Sequence, residues 1–253
     1  MPDLRLISAD ILKLRRRRGM LALALLGTLG VAAVVFTVMA IQHAANPARY
    51  GPAGGLENYR GAIEALGLLV LVAGVIVGGT AGTQDSESGV FRDLAATGRS
   101  RTALFLSRVA GALAVVLPIA LVTAAAAAVG SIALKDGLAA PGASTMVAGT
   151  ALVLAAATLS TAVSVGVATL VGSRGPVIGI LLAFFLGVSP LLEQIALFGD
   201  ARQLIPDVAT ARIGDLSSPA GVHVALGTAI AVVLGWIAVS LTAGAWRTRT
   251  REI

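Results

Sequence analysis

The 253-residue chain is 57% hydrophobic and 13% charged, with a mean hydropathy of +0.90 and a formal net charge of +6. A water-soluble domain carries roughly 25% charged residues, so the composition excludes a soluble globular protein. The chain has no cysteine, which excludes thiol catalysis, disulfides and Cys-ligated metals. On so apolar a chain the positive excess reads as a topology signal rather than a nucleic-acid footprint.

Residues 3–18, DLRLISADILKLRRRR, place Leu4, Ile7, Ile11 and Leu14 on one helix face and Lys13 and Arg15–Arg18 around it. The pattern predicts an interfacial amphipathic helix feeding a first span. A nucleic-acid arm or nuclear signal is the competing reading of the arginine run, and the apolar stretch that follows at once argues against it. A cleaved signal peptide is not expected either, because Met20–Ile41 is longer than an h-region of roughly 7–15 residues.

A membrane helix needs about 20 apolar residues. Six stretches qualify, at about 20–41, 62–82, 103–133, 144–172, 176–197 and 220–246. With the N-terminus inside, 14 of the 19 Lys and Arg residues fall on the cytoplasmic side and 5, namely Arg49, Arg60, Lys135, Arg202 and Arg212, on the outer side. That asymmetry predicts a multi-pass protein of the cell (inner or plasma) membrane with both termini cytoplasmic. The fold class expected is therefore an all-α polytopic bundle forming a single transmembrane domain over 1–253.

The connections differ in kind. Residues 42–61 form a Pro/Gly-rich loop, and Leu134–Ala143 is short. The tight break Gly172–Pro176 separates spans four and five. Pro190 is expected to break the fifth span, after which LLEQIALFG and ARQLIPDVATARI, joined by a Gly199–Asp200 turn, read as two short helices re-entering the outer leaflet before span six. Such backbone survives at membrane depth only under cover of protein or water. An ordinary surface loop is the alternative.

The cytoplasmic connection 83–108, TQDSESGVFRDLAATGRSRTALFLSR, has a helical pattern of its own, with Val90, Phe91, Leu94 and Ala95 on one face. Ser86 or Ser88 is expected to cap its start, Glu87 to sit near that positive end, and Gly98 to end it. A short surface helix at about 88–97 follows, held by Phe91 and Leu94.

Chemistry-bearing motifs are scarce. There is no GxxxxGK[ST] phosphate loop. His43 and His223 read as lone interfacial histidines. Ser160 and Ser164 have no base at their depth, which disfavours an intramembrane hydrolase. No ionisable residue falls in the central part of any span, so the relays of a proton-driven carrier are missing. Gly74, Gly78 and Gly82 make a small-residue stripe for helix packing or a subunit interface. Thr150, Thr158, Thr161 and Ser164 either line a substrate path or bond to their own helix backbone. Pro118 is a candidate kink in the third span, and Ala124–Ala128 a packing surface.

The layout resembles the permease subunit of ABC-2 type ABC transporters. The passage ESGVFRDLAATGRSRTALFLSRV is similar to that family's entry into the third span, with Glu87, Gly89, Arg92, Leu94, Ser100 and Arg101 in the matching places. Gly98 stands where many members have Pro, which keeps the turn and loosens it. The resemblance implies a coupling helix at about 88–97 that docks on a separate ATP-binding subunit. Phe91 and Leu94 would anchor it, and Glu87, Gly89, Arg92 and Arg99 would lie at the contact. It further implies two ATPase subunits that hold the ATP and Mg, a second permease subunit identical or homologous to this one, and export. This chain would need no cofactor and bind no nucleic acid. The weakly hydroxylated interior suits a hydrophobic or amphipathic cargo such as a drug, antibiotic or lipid. A non-transport assembly or immunity factor without ATP coupling is the competing function.

Overall fold

The computed structural model describes residues 4–87, 100–218 and 220–250. Among them the fold is all helical, 84% helix with no strand. The elements are α1 (Leu4–Arg16), α2 (Arg18–Ala45), α3 (Leu56–Glu87), α4 (Arg101–Ala133), α5 (Ala143–Val171), α6 (Arg174–Gln194), α7 (Pro206–Ile213) and α8 (Leu226–Thr250). Helices α2 to α6 and α8 are each long and apolar enough to cross a membrane.

The bundle is organised around α5. In its most apolar window 72% of residues are buried, against 22% in α2, α6 and α8. Alanine, serine, threonine and glycine fill α5, and small side chains let neighbouring backbones approach closely. The outer helices instead present large aliphatic side chains outward, Val34, Ile41, Leu234 and Val239 among them. An apolar exterior over a close-packed interior is what a lipid solvent favours.

Helix α1, the end of α3, the start of α4 and the end of α8 lie at one end of the bundle. There α1 packs on the start of α4, and α8 finishes beside it, with Arg249 Nε donating to Thr102 Oγ1 at 3.0 Å and Arg101 Nη1 to Arg249 O at 3.1 Å. At the opposite end the 46–55 loop is tied down by backbone bonds from Gly54 N to Leu134 O and from Gly55 N to Ser131 O, both 2.8 Å. His43 bridges the same two loops through Tyr50 O at 2.7 Å and Asp136 Oδ2 at 2.9 Å. It is a loop clip rather than a lone interfacial residue.

Four local expectations change. Pro190 does not end the fifth span. A π turn at Phe184–Val188 lets Ser189 N–H reach back to Phe184 O, and the helix resumes through Pro190 to Gln194. The wider turn moves the register past the proline, which has no donor of its own. Past Gln194, two 3-10 turns over Ala196–Leu204 meet at a kink at Gly199, φ 48 and ψ −127, where the Gly199–Asp200 turn is expected, and α7 follows. The last span starts at Leu226 rather than 220, because Gly221 at φ 67 is left-handed and Ser218 Oγ accepts from the N–H groups of Ala220 and Val222. Finally, α3 runs on through Ser86 and Glu87. Ser86 is therefore inside a helix rather than capping one, and Glu87 closes a helix instead of opening it. Pro118 lies within α4, which continues as one helix from Arg101 to Ala133.

Candidate functional site

Two oppositely charged residues meet where α3 and α4 leave the bundle. Asp85, near the end of α3, accepts from Arg108 Nε in the second turn of α4 at 3.1 Å. Their side chains are only 7% and 3% exposed. The other Asp85 oxygen accepts from Lys13 Nζ at 3.0 Å, and Lys13 also donates to Asp10 Oδ1 at 3.1 Å. Asp10 Oδ2 in turn accepts from Ser107 Oγ at 2.7 Å. Among the described residues two carboxylates and two cations thus form a chain joining α1, α3 and α4.

Local sequence explains the geometry. The i, i+3 spacing of Asp10 and Lys13 puts both on one face of α1. Gly111 lets that face settle on α4, since a Cβ there would stand 2.9 Å from Asp10 Cβ. Leu14 is buried beside the network. Burial by itself lowers the Lys13 pKa, but the charges and hydrogen bonds of Asp85 and Asp10 outweigh it and hold the amine above its usual value. Ser100 caps α4, its Oγ accepting from Ala103 N at 3.1 Å. The network therefore clamps α1 to both helices that bracket residues 88–99.

The residues expected to contact an ATPase lie mostly elsewhere. Gly89, Phe91, Arg92, Leu94 and Arg99, with the helix expected at 88–97 and its Gly98 end, fall outside the described residues. Glu87 is the last residue of α3. The sequence reading missed the clamp itself. Asp10, Asp85 and Arg108 belong to no sequence motif that would single them out. The available signal was a buried-side Asp near the end of one span facing an Arg at the start of the next.

The glycine stripe of α3 faces α5. A Cβ on Gly74 would collide with Ser160 Oγ, one on Gly78 would stand 2.5 Å from Thr161 O, and one on Gly82 2.5 Å from Ala168 Cβ. Ser164 Oγ donates across this contact to Val75 O at 2.8 Å. Thr150 and Thr158 donate to the carbonyls four residues back, Met146 O at 2.8 Å and Leu154 O at 2.7 Å. Thr161 is fully buried and its hydroxyl has no partner among the described residues. Thr161 and Ser164 sit in a closed helix contact, while Thr150 and Thr158 are half-buried.

The sequence pattern described as ABC-2 family transporter protein matches residues 6–190. The chain belongs to the ABC-2 family. The match spans α1 through most of α6, and so includes every residue of the clamp. No curated protein matches the sequence. As an ABC-2 membrane protein the chain is a transmembrane, permease-type component of transport, in a family whose membrane subunit is not itself catalytic.

Proposed function

We propose that this chain is the membrane-spanning permease subunit of an ATP-driven exporter, worked by two copies of a separate ATPase subunit and paired with a second permease subunit. The observation that carries the reading is the Asp10–Lys13–Asp85–Arg108 clamp. A pushed lever moves a bundle only if its base is rigid, and the clamp fixes the helices on both sides of 88–99 to one another and to α1. On this reading the α1 end faces the cytoplasm, in keeping with the 14 to 5 split of basic residues. Glu87, Gly89, Phe91, Arg92, Leu94 and Arg99 then meet the ATPase, which holds the ATP and Mg.

The transported molecule is hydrophobic or amphipathic. Glycine contacts along Gly74, Gly78 and Gly82 make the α3–α5 seam the surface that slides when the bundle opens. Of Thr150, Thr158, Thr161 and Ser164 on α5, Thr161 is the one whose hydroxyl has no partner among the described residues, and separation of the seam would offer it to a passing molecule. The test is purification of the native complex followed by paired measurement of ATP hydrolysis and transport. We expect an ATPase to co-purify, and Arg92→Glu or Glu87→Lys to leave hydrolysis running while transport falls. Recovery without an ATPase, or full transport in both variants, would sink the proposal and favour the non-transport reading.

A further inference from the structure

At the end opposite the clamp, α3, α5, α6 and α7 line a half-open cavity of about 460 Å3. This is within the roughly 300–1,000 Å3 range of small-molecule sites. Most of its wall is hydrocarbon: Leu71, Leu152, Ala156, Phe185 and Val208, all buried. Among the described residues its charged lining is all acidic, Glu64 from α3, Glu193 from α6 and Asp207 from α7, with no Lys, Arg or His in the wall. Glu193 is 6% exposed and accepts a hydrogen bond from Ser218 Oγ. Gly61, Glu64 and Ala65 lie along the flank of α3 with the exposed Leu68, which leaves the cavity a sideways mouth.

The wall chemistry selects the occupant. An anion would meet three carboxylates. A neutral apolar molecule would fill the space and strip water from Glu193 and Asp207 without compensation. A bare metal ion would leave most of the volume and the carbon wall unused. A bulky organic cation gains from both features, its apolar body against the wall and its charge near the carboxylates.

We propose that this cavity binds a hydrophobic organic cation, which enters from the flank of α3. The proposal rests on the permease reading for its link to transport, but binding itself needs no ATPase. Glu193 and Asp207 supply the charge recognition, Glu64 guards the mouth, and Leu152, Phe185 and Val208 hold the apolar body. All of the wall beyond Pro190 lies outside the residues shared with the family pattern.

The test is equilibrium binding to the purified full chain in detergent, with a protein-free detergent background, using the shape-matched ions tetraphenylphosphonium and tetraphenylborate. We expect saturable binding of the cation only, weakened at least tenfold by Glu193→Gln or Asp207→Asn and by Leu68→Trp at the mouth. Should Glu193→Gln fail to fold, because Ser218 then donates to a neutral and weaker acceptor, Asp207→Asn and Leu68→Trp decide. Equal binding of both ions, no saturable binding of the cation, or unchanged affinity in folded variants would overturn the assignment. Since no ATPase is present, such a failure leaves the coupling proposal standing, and a coupling failure leaves this one.

Discussion

Asp85 and Arg108 form an ion pair 23 residues apart in sequence, with Nε 3.1 Å from Oδ2 and both side chains almost wholly withdrawn from solvent. Between them lies the segment that bears the family motif, so the pair closes the base of that segment. Removing Arg108 leaves Asp85 to Lys13, and removing Asp85 takes from the buried Arg108 the carboxylate it donates to, a loss of up to about 3–5 kcal/mol for a broken buried pair, whereas replacing both with apolar residues is often close to neutral. Asp85→Leu and Arg108→Met should each lower unfolding stability strongly in detergent, and the double variant should recover most of the loss. Additive losses in denaturant titration would show that the two residues do not act as a pair.

Lys13 holds α1 to the same hub from a more open position, with its side chain 35% exposed. Solvent screens such a contact, so Lys13→Met should change global stability by about 1 kcal/mol or less. Its effect should be local. Amide exchange in α1 should speed up while α5 stays protected. The pKa is raised above the ordinary lysine value of 10.5, so the contact is fully present below that value and is lost only as pH rises through a still higher one. Between about pH 6 and 9 the exchange rate of α1 should therefore show no step beyond intrinsic amide chemistry.

Much of this was legible in the sequence. Hydropathy located the six long helices because a lipid solvent tolerates little else. Leu4, Ile7, Ile11 and Leu14, spaced along one face, announced the helix that became α1. What escaped was pairing across distance. Asp10 and Asp85 are ordinary polar letters until folding brings them to Lys13 and Arg108, and no periodicity reports that meeting. Pro190 misled for a related reason, since a proline normally ends a helix and a π turn upstream cancels the effect. The carboxylate cavity was hidden because Glu64, Glu193 and Asp207 come from three separate elements.

The α3–α5 seam gives a steric prediction. A side chain on Gly78 meets backbone at Thr161 O, which cannot rotate away. Gly78→Val should destabilise by about 1–3 kcal/mol or more through overpacking. A methyl group added at Gly179 on α6 would have no neighbour within 4 Å, so Gly179→Ala should leave stability unchanged or slightly raised. Thermal unfolding of both variants in the same detergent checks the contrast, and equal shifts would contradict the packing described.

Asp207 makes the opposite cavity sensitive to pH. Burial pushes its pKa up to about 6, aided by the charge of Glu193 and opposed by the hydroxyl of Ser189. A bound cation favours the carboxylate over the acid, so occupancy pulls that pKa down and affinity must rise with pH. Binding of tetraphenylphosphonium should be weak at about pH 5, strengthen through about pH 6 and level off by about pH 7.5. The groups nearby are Glu64 on α3 and Glu193 on α6, both in the cavity lining, with Arg212, Asp215 and His223 lining the neighbouring bowl. Of these, His223 carries the imidazole and serves as the control for the variant at Asp207. Asp207→Asn separates the two: it should flatten the pH profile as well as weaken binding, whereas His223→Asn should leave the midpoint in place. A midpoint that survives Asp207→Asn and disappears with His223→Asn would move the sensor to the bowl.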